Sequence, residues 1–475
     1  MLDEPTAVAA FDLILRDCVD ADENDVLLLV FDESFAPYRA AFDRAMSKRR
    51  IIANEFFLPR QSQLRWLRAQ RDRRTSSDSE QSVIGLPIPM KQALSVCDVV
   101  LNFLGSGADT GPMRRAVLYG PRPDDARFAH EPGLTDESLI LISKSDVNSI
   151  FIESELIAWA LGQARQATLI TWLGKVKHEL HIGMNEWDNV PLMSAGRILG
   201  GSWGNLTPGE TFCCPDLSQI YGSVVIDGSV PGSVLGPGDE LVLEFEEGRL
   251  IKWEGAADSP GLRLIKKTCE DARHNHDGNW NVFAELGIGL NPAITELTGS
   301  SLFDEKARGT VHVALGDNLA FGHPIHSQVH HDLVVRKPTL KLDQQLLIEH
   351  GEMCLDAFKV KRQSLSLDHP PLPRGVSVFL RTDRLYEQGD SHLLRSKRGK
   401  RVTLIRMASG VTNYAIHLLI KELETYGDVA IEEFLDEHPH FLDVPTERIL
   451  ALLLHYRVLA ISSVPREHLR DTEEA

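Results

Sequence analysis

The chain has 475 residues, 43% hydrophobic and 25% charged, which suits a globular protein of about two or three domains at roughly 100–200 residues each. Its 68 acids exceed its 50 bases by 18, which argues against a general electrostatic grip on nucleic acid or on an anionic membrane. No stretch approaches 18 consecutive apolar residues, so no transmembrane helix is expected.

The opening MLDEPTAVAAFDLILRDC carries acids where a secretory signal carries Lys or Arg. None of the six cysteines forms a CxxC pair, so a cytoplasmic protein with reduced thiols is the expectation. The run Asp25 to Phe31 reads as a buried strand, followed by an amphipathic segment from Ala36 to Arg50. Ile51 to Phe57, Asp98 to Leu104 and Leu139 to Ser143 are further predicted strands, and Ser154 to Ala167 a helix feeding the strand Thr168 to Trp172. This β-α-β rhythm predicts a mainly parallel sheet covered by helices, an α/β N-terminal domain over residues 1–175. Arg65 to Arg74, followed by TSSDSEQS, reads as a basic helix running into a polar loop.

From about Val176 the strands alternate in polarity and are separated by Gly, Pro and Asp turns, as in Glu240 to Phe245 and Arg249 to Trp253. An antiparallel α+β domain is predicted over residues 176–372, ending in the connection HPPLPR. In the last stretch, 373–475, Asn413 to Tyr426, Val429 to His438 and Pro445 to Tyr456 have helical periodicity, and Arg457 to Val464 reads as a strand. The expectation is a small, mainly helical, winged-helix-like extension.

The turn Gly105-Ser106-Gly107-Ala108-Asp109-Thr110-Gly111 follows a predicted strand, but its GxGxxxG spacing is not the dinucleotide fingerprint. A strand-to-loop turn is the better reading. No Walker motif and no GxSxG elbow occurs. The chemistry concentrates instead between Gly209 and Asp332. Potential metal ligands recur there beside glycines and short strands: Glu210, Glu285 in AELGIG, Glu305 in DEK, His312 in VHV, and His330 and Asp332 in HHD. In a strand, residues i and i+2 share a face, so His330 and Asp332 can converge on one ion while His331 points away. His312 stands between two valines, and burying an isolated His or Glu costs roughly a few kcal/mol unless it is paired or metal-bound. Taken singly, each has a plainer explanation: a satisfied core histidine, a surface Glu305-Lys306 pair, a solvated turn at Glu210. Six such groups in one segment favour a divalent cation, and mixed carboxylate and imidazole ligands suit Zn, Co or Mn. His323 and His326 lie in a neighbouring Gly-Pro loop and read as exposed loop histidines.

The blocks GETFCCP, ELGIGLNP, DEKARGTVHVALGDNLAFG and SQVHHDLV resemble the signature segments of the aminopeptidase T family of metallopeptidases. The resemblance covers the chain to about residue 370, with its motifs confined to residues 209–333. It implies an α/β N-terminal domain, a catalytic domain with two divalent ions, and a homodimer acting on peptides. The implied ligands are Glu210, Glu285, Glu305, His312, His330 and Asp332, with Glu285 as the candidate bridging carboxylate. In hydrolysis one carboxylate of the cluster, Glu305 or another not tied tightly to metal, would shuttle the proton. One departure stands out: the family has a tyrosine shortly after the HVALG block, where this chain has Asp317-Asn318-Leu319.

Two other readings compete with hydrolysis. His312, His330 and Asp332 could form a two-His-one-carboxylate face for Fe(II), and ring-cleaving dihydroxypyridine dioxygenases resemble this chain distantly. That resemblance places a His where this chain has Glu285 and lacks the HVALG histidine, so hydrolysis is favoured. The third reading is a pathway-specific peptide-binding protein with a degenerate site, docking a partner through helices near Tyr414 and Ile449 and the basic stretch Arg395 to Arg401. A solvated basic loop is the simpler account of that stretch.

Overall fold

The computed structural model of the chain describes residues 2–63, 88–105, 113, 126–131, 133–184, 191–198, 203–318 and 325–359, with short strands between 377 and 462. Met1–Asn185 and Asn189–Cys354 form one compact unit. It begins with α1 (Glu4–Leu13), whose first turn is capped by Asp3 accepting from the Thr6 backbone N–H at 2.9 Å. Then come β1 (Leu27–Phe31), α2 (Arg39–Arg49), β2 (Ala53–Phe57), α3 (Ile88–Leu94), β3 (Val99–Phe103) and β4 (Arg127–His130). These four strands pair parallel in the order β2-β1-β3-β4. β3 is buried along its whole length, which is why it reads as a continuous apolar run. Phe11, Phe35, Phe42 and Phe103 interlock on one face of this sheet, with ring centroids 5.2 to 6.2 Å apart.

Leu139 to Ser143 is not a strand. It lies within α4 (Asp136–Lys144), where Thr135 and Ser138 form a reciprocal capping box and Leu139 and Ile142 bury one face. The local cap outweighs the apolar run. β4, by contrast, was not among the predicted strands. α5 (Val147–Gln163) follows, and its strand β5 (Gln166–Leu173) also departs from expectation. It does not join the parallel sheet but pairs antiparallel with β6 (Val176–Gly183).

β7 (Leu192–Ser194) is followed by β8 (Trp203–Asn205), which pairs parallel with β4 as the fifth strand of the first sheet. The chain continues through β9 (Glu210–Cys213), β10 (Asp216–Ile226), β11 (Ser229–Val230), β12 (Ser233–Val234), β13 (Leu241–Glu246) and β14 (Arg249–Gly255). α6 (Pro260–His274), β15 (Phe283–Gly289), α7 (Ser301–Asp304), β16 (Val311–Gly316), β17 (His330–Val335), β18 (Thr339–Leu342), β19 (Gln345–Glu349) and β20 (Glu352–Met353) complete the unit. Two antiparallel sheets result. One runs β14-β13-β10-β6-β5-β18-β19-β20, the other β12-β11-β17-β16-β15-β9-β7. In the second sheet β15 and β16 are buried at every position.

The second unit comprises Glu186–Asp188 and Leu355–Ala475. Its described residues form two three-stranded antiparallel sheets. β21 (Ser377–Leu380) lies between β25 (Asp428–Ala430) and β26 (Leu459–Ser462), and β23 (Ser391–Arg395) between β22 (Leu385–Gln388) and β24 (Arg401–Val402). The strand expected over Arg457 to Val464 thus contains β26, whereas Val429 begins no helix because it belongs to β25. The segments 65–82, 369–374, 413–426, 431–438 and 445–456 lie outside the described residues, as does the Gly-rich turn beyond Gly105. Among the described residues no helix is long and apolar enough to cross a membrane.

Phe11 has no exposed surface, whereas Ile52 is 82% exposed. Phe11→Ala is expected to destabilise the first unit by about 3–5 kcal/mol, the usual cost of an aromatic cavity. Ile52→Ala should stay within about 0.5 kcal/mol. Urea unfolding of both variants checks this, and equal midpoints would contradict the placement of the core.

Candidate metal centre

The central strands of the seven-stranded sheet bring five of the six predicted ligands to one face. Glu210 opens β9 opposite Gly289, and Glu285 on β15 faces Ala314. His312 on β16 lies between Gly287 and Val334, while His330 and Asp332 on β17 face Gly316 and Ala314. Directly paired residues of an antiparallel sheet project to the same side. Most of these side chains therefore stand opposite glycine or alanine, and the small partners leave room over the sheet. Gly287 is the sharpest instance, because a Cβ there would fall on the His312 imidazole. Gly209, at φ +133, packs its backbone against Asn291 and allows the turn that leads into Glu210. The sixth group, Glu305, follows α7 and is buried with the others.

The donors fall into two trios, Glu210–Glu305–His312 and Glu285–His330–Asp332, each with ligand atoms within 4.8 Å of one another. His312 Nε2 lies 3.0 Å from Glu285 Oε1 and 3.7 Å from Glu210 Oε2. His330 Nε2 is 3.1 Å from Asp332 Oδ1 and 3.5 Å from Glu285 Oε2. Lys306 enters the cluster as well. Its Nζ donates to Glu210 Oε1 at 2.8 Å and to Glu305 Oε1. Glu305 also hydrogen-bonds the side chain of Asp332. The groups therefore close a ring: Glu210, Lys306, Glu305, Asp332, His330, Glu285, His312 and back to Glu210.

Charge alternates around this ring except at Glu305–Asp332, where two acids meet and a proton must be shared. The pKa shifts follow that pattern. Burial, then the neighbouring Glu210, pushes Glu305 well above the carboxylate range. Burial also raises Asp332, but the His330 imidazole and the Glu305 hydrogen bond overcome it and hold Asp332 well below its ordinary value. Burial raises Glu285 despite His312 beside it. For the two histidines burial opposes the charged form, yet Glu285 and Asp332 outweigh it, raising His312 to about 9 and His330 to about 10. Lys306 is likewise raised, because Glu210 and Glu305 prevail over burial.

The donor set fits a divalent cation. Glu285 Oε2 and His312 Nδ1 are buried without a hydrogen-bond partner, a costly arrangement that coordination of the carboxylate oxygen would relieve at Glu285. Carboxylate and imidazole donors together suit Zn, Co or Mn. His330 is held by the Asp317 carbonyl, 2.7 Å from its Nδ1, which aims Nε2 into the cluster.

Several neighbours take other tasks. Asp304 accepts from the backbone N–H groups of Thr298 and Gly299, both at 2.7 Å, and so shapes the turn before Glu305. His331 points away to Thr268, at 3.1 Å from its Oγ1. His326 is exposed and pairs with Asp317, and His323 lies outside the described residues. Asn318, where the resemblance implies a tyrosine nearby, accepts from the Ile325 backbone.

Glu305 and Lys306 are not a surface pair, since neither is exposed, and Lys306 is the group that sequence reasoning missed. Its place directly after Asp304 and Glu305, in a segment dense with potential ligands, was the signal available, and that spacing equally fits a solvated pair. Glu131 was also passed over. Burial pushes it up to about 7 against two hydrogen bonds from Thr207, just before the Pro208-Gly209 turn.

No protein-family model and no curated protein matches the chain. Among solved structures it is similar to 2,5-dihydroxypyridine dioxygenase from Pseudomonas putida KT2440, with a TM-score of 0.56 and 16% identity over 74% of this chain and 98% of that one. It is also similar to wild-type AmpT from Thermus thermophilus, with a TM-score of 0.47 and 14% identity over 74% of this chain and 99% of that one. The first likeness establishes a shared fold; it does not assign chemistry.

Gly287→Ala is expected to weaken Zn(II) binding by about 10–100-fold, the usual cost of disturbing a ligand's support. Unchanged affinity by calorimetric titration would contradict the close approach of His312. The pH dependence has a definite sign. His312, raised to about 9, stabilises the metal-free fold fully below its ordinary value of 6.5 and loses that contribution as pH rises through 9. Chelator-treated protein should therefore melt at lower temperature across this window. The stabilisation gained from added Zn(II) should grow over the same window, because ligands must release protons. Differential scanning calorimetry reads both trends, and parallel trends would refute the account.

Proposed function

We propose that the chain is a metal-dependent hydrolase, an aminopeptidase that cleaves the N-terminal peptide bond of peptides. The observation that carries this reading is the convergence of four acids and two histidines into two adjoining trios on one buried sheet face. Glu285, His330 and Asp332 would hold one divalent ion, and Glu210, Glu305 and His312 are the donors to which the family resemblance would assign a second. A bound divalent ion supplies Lewis acidity, polarising a carbonyl and bringing the pKa of water toward neutrality. The protein's own part is to position and to move protons. Glu305 holds a proton against Asp332 and is the group suited to pass one to a leaving amine. Glu285 lies within reach of both histidines, and it is the carboxylate that two ions would share if both trios were filled. His330, 29% exposed at its side chain, marks the side from which a substrate reaches the otherwise buried centre.

The ring-cleaving alternative draws on the dioxygenase-like fold. It requires His312, His330 and Asp332 to act on one ion. Here His312 groups with Glu210 and Glu305, while Glu285 completes the trio of His330 and Asp332. That grouping favours hydrolysis. The cytoplasmic homodimer remains part of the proposal, carried by the acidic, reduced-thiol sequence and by the family resemblance.

Glu285→Gln and His330→Ala should each remove bound metal and peptide hydrolysis together. Activity should fall by more than the roughly 10–100-fold typical of losing an outer hydrogen-bond partner. Metal analysis beside a dipeptide assay is the measurement. Full metal content in both variants would sink the assignment, and turnover that strictly requires Fe(II) and O₂ would transfer it to the oxygenase reading.

A further inference from the structure

We propose that the Lys306 ammonium fills the Glu210–Glu305–His312 trio as an internal cation, so that the centre holds one divalent ion, at Glu285–His330–Asp332. This rests on the metal-dependent reading above and revises the sequence expectation of two ions.

Three observations support it. First, Lys306 Nζ bonds Glu210 Oε1 at 2.8 Å and also Glu305 Oε1, and these are the only two acids of the inner trio. A second divalent ion would have to draw on the same pair, against a fixed positive charge within contact distance of both. In a dry interior that repulsion is poorly screened.

Second, the charges of the two trios differ. With its histidine neutral, the outer trio carries two negative charges from Glu285 and Asp332, which one divalent ion cancels. The inner trio carries at most two, from Glu210 and Glu305, and only one when Glu305 keeps its proton; Lys306 cancels one in either case. A divalent ion there would leave a net positive charge where Lys306 and His312 have no exposed surface. The remaining link of Glu305 is turned outward, as a hydrogen bond to Asp332, so the inner trio is tied to the outer one rather than open for a second ion.

Third, access is unequal. His330 is partly exposed, whereas His312 and Lys306 are sealed.

The test is the metal stoichiometry of the full chain, loaded with Zn(II), dialysed and measured by elemental analysis and calorimetric titration. The wild type should hold one equivalent, while Lys306→Met and Lys306→Gln should hold two. Asp332→Asn, made in the otherwise wild-type chain, should hold none, since the single ion sits in the outer trio. This variant decides the matter even if the lysine variants fail to fold. Two equivalents in the wild type would overturn the proposal while leaving the metal-dependent reading intact. So would one equivalent in folded lysine variants, or one retained by Asp332→Asn. A wild type that binds no Zn(II), Co(II) or Mn(II) would overturn both.

Discussion

The structure turns on one constraint: four carboxylates, two imidazoles and an ammonium share a nearly water-free face of a central sheet. No member could sit there alone, because an unpaired buried charge costs far more than any single packing contact returns. The ring from Glu210 through Lys306, Glu305, Asp332, His330, Glu285 and His312 answers this by giving every group an opposite neighbour on at least one side. Its single like-charged contact is Glu305–Asp332, and there burial and the neighbouring acids push Glu305 well above the carboxylate range. The site is thus a distribution of charge first and a set of ligands second.

That distribution explains features of the fold that otherwise look unrelated. Five of these groups, all but Glu305 and Lys306, sit on strands paired on both edges, β9, β15, β16 and β17, which fixes their register. Opposite them stand Gly287, Gly289, Ala314 and Gly316, because larger residues would occupy the space of imidazole and carboxylate. Gly309, at φ +81, brings its chain against the Gly351 carbonyl and so returns the segment carrying Glu305 and Lys306 tightly into β16. The glycines of ELGIG and RGT are therefore part of the site, although none bears a functional group.

Much of this was legible in the sequence, and the limits have physical causes. The i, i+2 spacing of His330 and Asp332 and the apolar flanks of His312 identified strand faces correctly, since period two follows from the backbone alone. What a sequence does not carry is register. Nothing in AELGIG and VHVAL states that Gly287 faces His312 and not a valine, so the division into two trios emerged only with the sheet. Lys306 was missed for a related reason. Beside Glu305 it reads as a solvated pair, and only the reach across to Glu210, 96 positions earlier, shows it to be enclosed. Leu139 to Ser143 failed differently. Five residues of mixed apolar character do not separate strand from helix, and the Thr135–Ser138 cap decided the matter.

A fold shared with a dioxygenase does not by itself assign a reaction to this chain. What the site can do depends on which side chains are neighbours, and here Glu285 rather than His312 stands with His330 and Asp332. That arrangement couples the site to protons. Without an ion, Glu285 and Asp332 are neutralised by charged imidazoles, which is why both histidines hold their protons so far above the ordinary value. A divalent ion would take over that neutralising role and repel the imidazolium charge, so its arrival and the departure of those protons would be one event. A centre built on Glu285 would therefore trade protons for metal, and Lys306, whose proton Glu210 and Glu305 hold, would be the part of the ring that stays fixed.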